Sequence, residues 1–142
     1  MPDFGTFASF VNYAKPLIEA LSVSVVAGKE SRPTTPYVSI EQGVSSSIAT
    51  RIDTELVRLR IVVSRQASEP IEVTMGNLVT RIRKSLDDTC FIERYDYTTS
   101  PSIQRGSFVL KYNSISPDIS DDENVSQRVM QYSLVSVFQQ QA

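Results

Sequence analysis

The hydrophobic pattern changes its period within one stretch of the chain, residues 55–88. In the first part, apolar residues alternate with more polar ones: Val57, Leu59, Ile61 and Val63. A period of two predicts a β-strand with one buried face. After Pro70, apolar residues recur every three or four positions: Ile71, Met75, Leu78, Ile82 and Leu86. This spacing predicts an amphipathic helix, and Pro70 suits its first turn because an amide there has no helical partner.

A second amphipathic helix is predicted at the N-terminus, from Asp3 to Val23. Its apolar residues also follow helical spacing: Phe4, Phe7, Val11, Ala14, Ile18 and Leu21. Asp3 is a suitable N-cap. Pro16 lies in the interior, where proline removes a backbone hydrogen bond and clashes with the preceding turn. We therefore expect a kink, or two short helices that meet near Lys15.

Alternating patterns predict further strands at 36–43, 90–99, 107–115 and 127–139. The last two should pair as an antiparallel hairpin. The segment after the first helix is predicted to be a short strand or an irregular segment, followed by a loop with Pro33 and Pro36. The expected fold class is α+β. A mostly antiparallel sheet of about four to five strands is packed by the N-terminal helix and the central helix, in a single domain covering 1–142.

Two polar segments interrupt these elements. Residues 44–54 are rich in Ser and Thr and poor in bulky apolar groups, so they form either a long hairpin arm with a mobile tip or a disordered loop without a role. Residues 116–126 contain a cluster of acids: Asp118, Asp121, Asp122 and Glu123. Because this segment lacks the glycine and the ligand order of a calcium loop, it is interpreted as a solvated acidic loop.

Composition narrows the functional classes. The 142 residues suffice for one core, and a net charge of −2 provides no general field for holding nucleic acid. No apolar run approaches the roughly 18 residues that cross a bilayer. The N-terminus carries an acid where a secretory signal has basic residues, so export by that route is not expected and the protein should be made in the cytoplasm.

The chain has no histidine and one cysteine, Cys90. Histidine-dependent nucleophile pairs and imidazole metal sites are therefore excluded, and no phosphate loop or cofactor fingerprint is present. We predict no catalytic residues, no cofactor, no metal and no enzymatic activity. Cys90 is interpreted as a buried structural thiol. Tyr95 and Tyr97 are interpreted as sheet-packing aromatics rather than a platform for nucleic-acid bases, because little positive charge accompanies them.

The order of these elements resembles the tail terminator, or tail completion, proteins of tailed bacteriophages. The likeness covers most of the chain and rests on four segments: PYVSIEQG, ELVRLRIVVSR, LVTRIRKSLDD and RVMQYSLVSVFQ. The resemblance implies an α+β subunit in a homohexameric ring at the head-proximal end of the tail. Such a ring terminates the tail tube, joins it to the neck or head-tail connector, and lets DNA pass without specific binding. The implied location is the virion, after synthesis in the host cytoplasm.

Ring closure requires a heterologous contact, in which one surface of a copy meets a different surface of the next. The arm and the acidic loop are the candidate sources of inter-subunit or partner contacts: Val44, Ser46, Ile48, Arg51, Asp53, Asp118, Asp121, Asp122 and Glu123. Two structural alternatives remain, a stopper or other neck component and a minor tail protein. A small ligand-binding α+β domain is the alternative from a different class.

Overall fold

The computed structural model describes residues 6–27, 34–49, 52–66, 68–87 and 91–138. These contain two helices and six strands. In chain order the elements are α1 (Thr6–Glu19), β1 (Ser24–Ala27), β2 (Tyr37–Ala49), β3 (Ile52–Ser64), α2 (Ile71–Asp87), β4 (Ile92–Asp96), β5 (Ile103–Ile115) and β6 (Val125–Phe138).

All six described strands belong to one sheet, in the order β1-β2-β3-β6-β5-β4. The β1–β2 pair is parallel, and the other four pairs are antiparallel. The sheet is curled into a half-barrel. β5 and β6 pair antiparallel, which confirms the predicted hairpin.

The predicted fold class was wrong in its description of the sheet. Instead of a mostly antiparallel sheet of four to five strands, the described residues form a mixed, curled sheet of six. The main reason is Ser24–Ala27, which the sequence left open as a strand or an irregular segment. Four residues are too few to show a period, and this strand forms only because its neighbour β2 provides a hydrogen-bonding edge.

The strand β3 and the helix α2 have the buried faces that their patterns predicted. Val57, Leu59, Ile61 and Val63 of β3 are at most 1% exposed. The stripe of α2 is also buried: Ile71, Met75, Leu78, Ile82 and Leu86. α2 packs on β3, β5 and β6, so these two faces meet in the centre of the core.

Helix α1 contacts both β1 and β4, the outermost strands of the sheet. It therefore bridges the two edges of the half-barrel. In this contact the Tyr95 amide of β4 donates a hydrogen bond to Ser9 Oγ at 2.9 Å. Pro16 lies within α1, which is one helix and not two. The predicted N-cap Asp3, and also Cys90 and the polar tail 139–142, lie outside the described residues.

Candidate assembly surfaces

The first candidate surface is the β2–β3 hairpin, whose strands pair from Tyr37 with Val62 to Ala49 with Ile52. Val44, Ser46 and Ile48 lie in β2, and Asp53 lies in β3. Arg51 is outside the described residues. Because β3 pairs with β6 along its whole length, these candidate residues lie within the sheet and extend it to the hairpin tip.

The second candidate surface is the acidic loop between β5 and β6. Asp118, Asp121, Asp122 and Glu123 are all exposed. The loop is fastened to the end of β3 by Arg65, whose amide donates to the Asn124 carbonyl and whose Nη2 donates to the Glu123 carbonyl, both at 2.8 Å. These two hydrogen bonds hold the backbone of the loop beside the end of β3, with its acidic side chains exposed.

Asp118 accepts three hydrogen bonds in and beside the loop, whereas Asp122 accepts one, from the Asn124 amide at 2.8 Å. The amides of Ser120 and Gln127 donate to Oδ1 at 2.9 and 3.1 Å. The Ser126 hydroxyl donates to Oδ2 at 3.1 Å. Partial burial, the largest single influence, raises the pKa of Asp118, but these hydrogen bonds and the charge of Arg128 together outweigh it. The pKa is therefore lower than its ordinary value of 3.8.

We expect Asp118→Asn to reduce the acid sensitivity of the protein. A carboxylate whose folded pKa is depressed stabilises the fold above its unfolded pKa, and this stability is lost as the pH falls through the folded value. The contribution of Asp118 is therefore present above about pH 3.8 and disappears below it. Urea unfolding of both proteins between pH 7 and pH 2 measures the difference. Asp118→Asn should be less stable near pH 7, and the two curves should converge at low pH.

The control for this experiment is Asp121→Asn. Asp121 is exposed in the same loop, and its carboxylate accepts no hydrogen bond from the part of the chain that the structure describes. Its replacement should leave the pH dependence of unfolding close to that of the parent protein. Equal effects of the two substitutions would show that loop charge alone, rather than the Asp118 hydrogen bonds, determines the acid response.

The two candidate surfaces lie at opposite ends of the sheet. Val125, at the start of β6, pairs with Ser64 at the end of β3, whereas Ile52 pairs with Val137 near the end of β6. The 13 residues of β3 separate the hairpin tip from the acidic loop, which corresponds to about 40 Å. The structure therefore does not bring the two sets of candidate residues together, and it assigns them to two different ends of the molecule.

A polar network between α2 and the sheet was missed in the sequence. Arg83 forms an ion pair with Asp87 at 3.0 Å and lies over the Tyr112 ring, 3.7 Å from its centroid. The buried Tyr132 hydroxyl donates to Asp87 Oδ1 at 3.1 Å. Burial, with the charge of Asp87, raises the pKa of Tyr132. The network fastens the last turn of α2 to β5 and β6, and only the Arg83–Asp87 spacing of four residues was visible in advance.

Arg94 is a second residue that the sequence did not single out. It is 1% exposed in β4. It lies two positions after the buried Ile92, so the period of two indicates the same face, but an arginine on a buried face is unusual. Tyr97, which follows β4, is exposed, and its hydroxyl accepts a hydrogen bond from Asn12 of α1 at 2.8 Å. The Asn12–Tyr97 hydrogen bond joins α1 to the turn that follows β4.

The described residues contain no group of three or more acidic or cysteine side chains placed to hold a metal ion. No helix in the same part of the chain has the length and apolarity needed to cross a membrane. A groove beside α2 is lined by Val79, Thr80, Arg83, Lys84, Asp87, Tyr112 and Ile115. This lining combines apolar side chains with three charged residues, Arg83, Lys84 and Asp87.

Comparison with solved structures shows a likeness of fold. No protein-family model matches the chain, and no curated protein matches it. Among solved structures, the fold is similar to a chain of the "Virion of native gene transfer agent (GTA) particle", with a TM-score of 0.51. The match covers 93% of this chain and 91% of that chain at 7% sequence identity. The two chains therefore share an overall fold across nearly their whole lengths.

Proposed function

We propose that this chain is a structural protein of a virion and acts as a tail terminator. In this proposal it forms a ring at the head-proximal end of a tail, ends the growth of the tail tube, and joins the tube to the neck. The fold likeness to a chain of a virion particle, over 93% of this chain, is the observation that carries the proposal. The order of elements in the sequence, which resembles tail terminators, supports it independently.

The separation of the two candidate surfaces is consistent with this role. A joining protein needs one face for the tube and another for the neck, and the hairpin tip and the acidic loop lie about 40 Å apart along β3. We propose that these two ends contact different partners, the tail tube protein and the head-tail connector protein. The candidate residues named from the sequence, in the hairpin and in the acidic loop, are proposed to contact these partners or the neighbouring subunit.

The proposed assembly is a homohexamer, without cofactor or metal, through which DNA passes without specific binding. Carboxylates repel phosphates, so acids facing the passage would keep DNA from adhering. No catalysis is assigned to the chain, which has no histidine. The proposed location is the tail or neck of the virion, after synthesis in the host cytoplasm.

Light scattering across a concentration series, followed by electron microscopy, tests the ring. We expect a hexamer, formed either in solution or on the end of a tail tube. The purified chain is also mixed with tail tube protein during polymerisation, and the tube lengths are compared with those formed without it. A terminator shortens the tubes and appears as a cap at one end.

The same experiment separates the alternatives. A stopper or another neck component would form a ring without capping tubes, and a minor tail protein would bind tubes without ending their growth. A monomer that neither binds nor caps tubes would overturn the assignment to the tail. The binding of a small molecule by that monomer would then favour the ligand-binding alternative.

A further inference from the structure

Within the described residues, two strands of the sheet, β2 and β5, are longer than the edge strands that pair with them. β1 pairs with only 37–40 of β2, so the outer side of 41–49 has no partner strand among the described residues. β4 pairs with β5 only between Ile103 and Phe108, so the outer side of 109–115 is open in the same way. Backbone amides and carbonyls on such open edges can pair with another strand.

The two open edges lie opposite each other across the sheet, in the same rows, where a row is a line of residues paired from strand to strand. Ser46 pairs with Thr54, Thr54 with Val135, and Val135 with Val109. Toward the other end of the strands, Glu41 lies in one row with Ser114, with one residue of β3 and one of β6 between them. The open part of β2 and the open part of β5 are therefore opposite sides of one four-stranded band, formed by β2, β3, β6 and β5.

The directions of the two edges also match. Because each neighbouring pair in the band is antiparallel, β2 and β5 run in opposite directions. A second copy placed beside the first in the same orientation would put its β2 antiparallel to the β5 of the first copy. Its own β5 would remain open for a third copy, so the same contact repeats, and repetition of a heterologous contact by rotation closes a ring.

The charges of the two edges disfavour the pairing of β5 with the β5 of another copy. Residues 41–49 contain a single charged residue, Glu41, and residues 109–115 contain a single one of opposite sign, Lys111. Residues 41–49 also lack the lysine and proline that natural proteins use to block an open edge. If two β5 edges paired antiparallel, their Lys111 side chains would lie close together, and like charges on facing strands are destabilising. Pairing of β5 with 41–49, which contain no basic residue, avoids this repulsion. The charge of Glu41 is already paired with Arg60, at 2.9 Å.

One irregularity of each edge lies beside the same row of the band, and β2 has a second irregularity between Ser47 and Ala49. β2 has a bulge between Gln42 and Ser45, and β5 has one between Tyr112 and Ser114. Gln42 and Tyr112 lie in one row, because Gln42 pairs with Val57, Val57 with Tyr132, and Tyr132 with Tyr112. A bulge increases the local twist of a strand, so both edges of the band change twist beside the same row.

From these observations we propose that copies of this chain join by strand addition, with residues 41–49 of one copy pairing antiparallel with residues 109–115 of the next. The contact continues the four-stranded band of each subunit into the neighbouring subunit. The inference rests on the proposed ring assembly and names the surfaces that close it. It also predicts that the acidic loop is not required for contact between copies.

Cysteine cross-linking tests the pairing directly. In a Cys90→Ser background, Ser46→Cys is combined in turn with Val109→Cys, Lys111→Cys and Asn113→Cys, which scans the possible stagger between copies. Disulfides form when Cβ atoms are about 4 Å apart. Under mild oxidation, at least one double variant should form a reducible ladder of bands ending at the ring size. Each single-cysteine variant should remain uncross-linked, because a heterologous contact does not bring a residue next to its own copy.

The outcomes distinguish this inference from the proposed function. Rings without cross-links in any double variant would overturn strand addition and leave the terminator proposal in place. Dimers from a single-cysteine variant would indicate a two-fold contact and would also overturn it. If the Cys90→Ser protein and the natural chain form no ring, in solution or on tubes, both proposals fall.

A charge substitution at the edge gives a second measurement. Val109 is 37% exposed, so Val109→Lys should fold, but its charge lies at the proposed junction. We expect the concentration at half-assembly to rise about tenfold, the effect of about 1.4 kcal/mol at a contact. The matched control is Val73→Lys on the exposed face of α2, where Val73 is 46% exposed. Equal assembly of the two folded variants would overturn the inference.

Discussion

Leu59→Ala is expected to lower the free energy of unfolding by about 3 kcal/mol. Leu59 is 0% exposed, and its partners in the neighbouring strands, Ile40 and Met130, are also 0% exposed. A truncated side chain in this row leaves a cavity that strands on both sides prevent from closing. Chemical denaturation of the subunit measures the loss, and the melting temperature should fall by roughly 10 °C.

The matched control is Arg58→Ala, one position earlier on the same strand. Arg58 is exposed on the opposite face of the sheet, so its replacement should change the free energy of unfolding by no more than about 0.5 kcal/mol. Similar losses for the two variants would contradict the assignment of the core to the face of Leu59. Denaturation should be done at a concentration below assembly, because association would stabilise the folded subunit by mass action.

Gly43→Ala is expected to lower the free energy of unfolding by about 2 kcal/mol. A Cβ atom at Gly43 would lie 2.8 Å from the backbone oxygen of Leu56 and 3.0 Å from its Cβ. The oxygen belongs to the paired strand β3, so it cannot move aside without disturbing the hairpin. Gly43 lies in the bulge between Gln42 and Ser45, where the absence of a side chain allows the two strands to approach closely.

Gly76→Ala is the control for this substitution and should act in the opposite direction. Gly76 lies in α2, and a Cβ atom there would meet nothing within 4 Å. Alanine is the better helix former, so we expect a gain of about 0.5–1 kcal/mol. Thermal unfolding of both variants measures the pair. A lower stability of Gly76→Ala would contradict the open space that the structure gives around Gly76. An unchanged stability of Gly43→Ala would contradict the close approach of Leu56 to Gly43.

The buried faces of β3 and α2 were predictable because they depend on local period. Alternation from Val57 to Val63 and helical spacing from Ile71 to Leu86 are long enough for each pattern to identify its own element. The β5–β6 hairpin was predictable for a related reason, since both strands are long and lie next to each other in the chain. The order of elements and the absence of histidine chemistry were also readable without coordinates.

The strand count failed because the pattern of one strand was too short to recognise, and the extent of β2 was left open where serines interrupt its apolar positions. Ser24–Ala27 has only four residues. Residues 44–49 contain three consecutive serines, yet they continue β2. Such residues take their conformation from the neighbouring strand that hydrogen-bonds to them. Propensity in sheets depends on these neighbours much more than on the residue itself.

The relations between distant elements came from the tertiary structure. Only strand pairing separates the hairpin tip from the acidic loop and puts the open edges of β2 and β5 in the same rows. Only packing brings Tyr132 to Asp87, 45 residues apart, and buries Arg94. Periodicity reports which side of an element faces the core, because that depends on adjacent residues. Strand order and register depend on contacts between residues far apart in the chain, which no local pattern encodes.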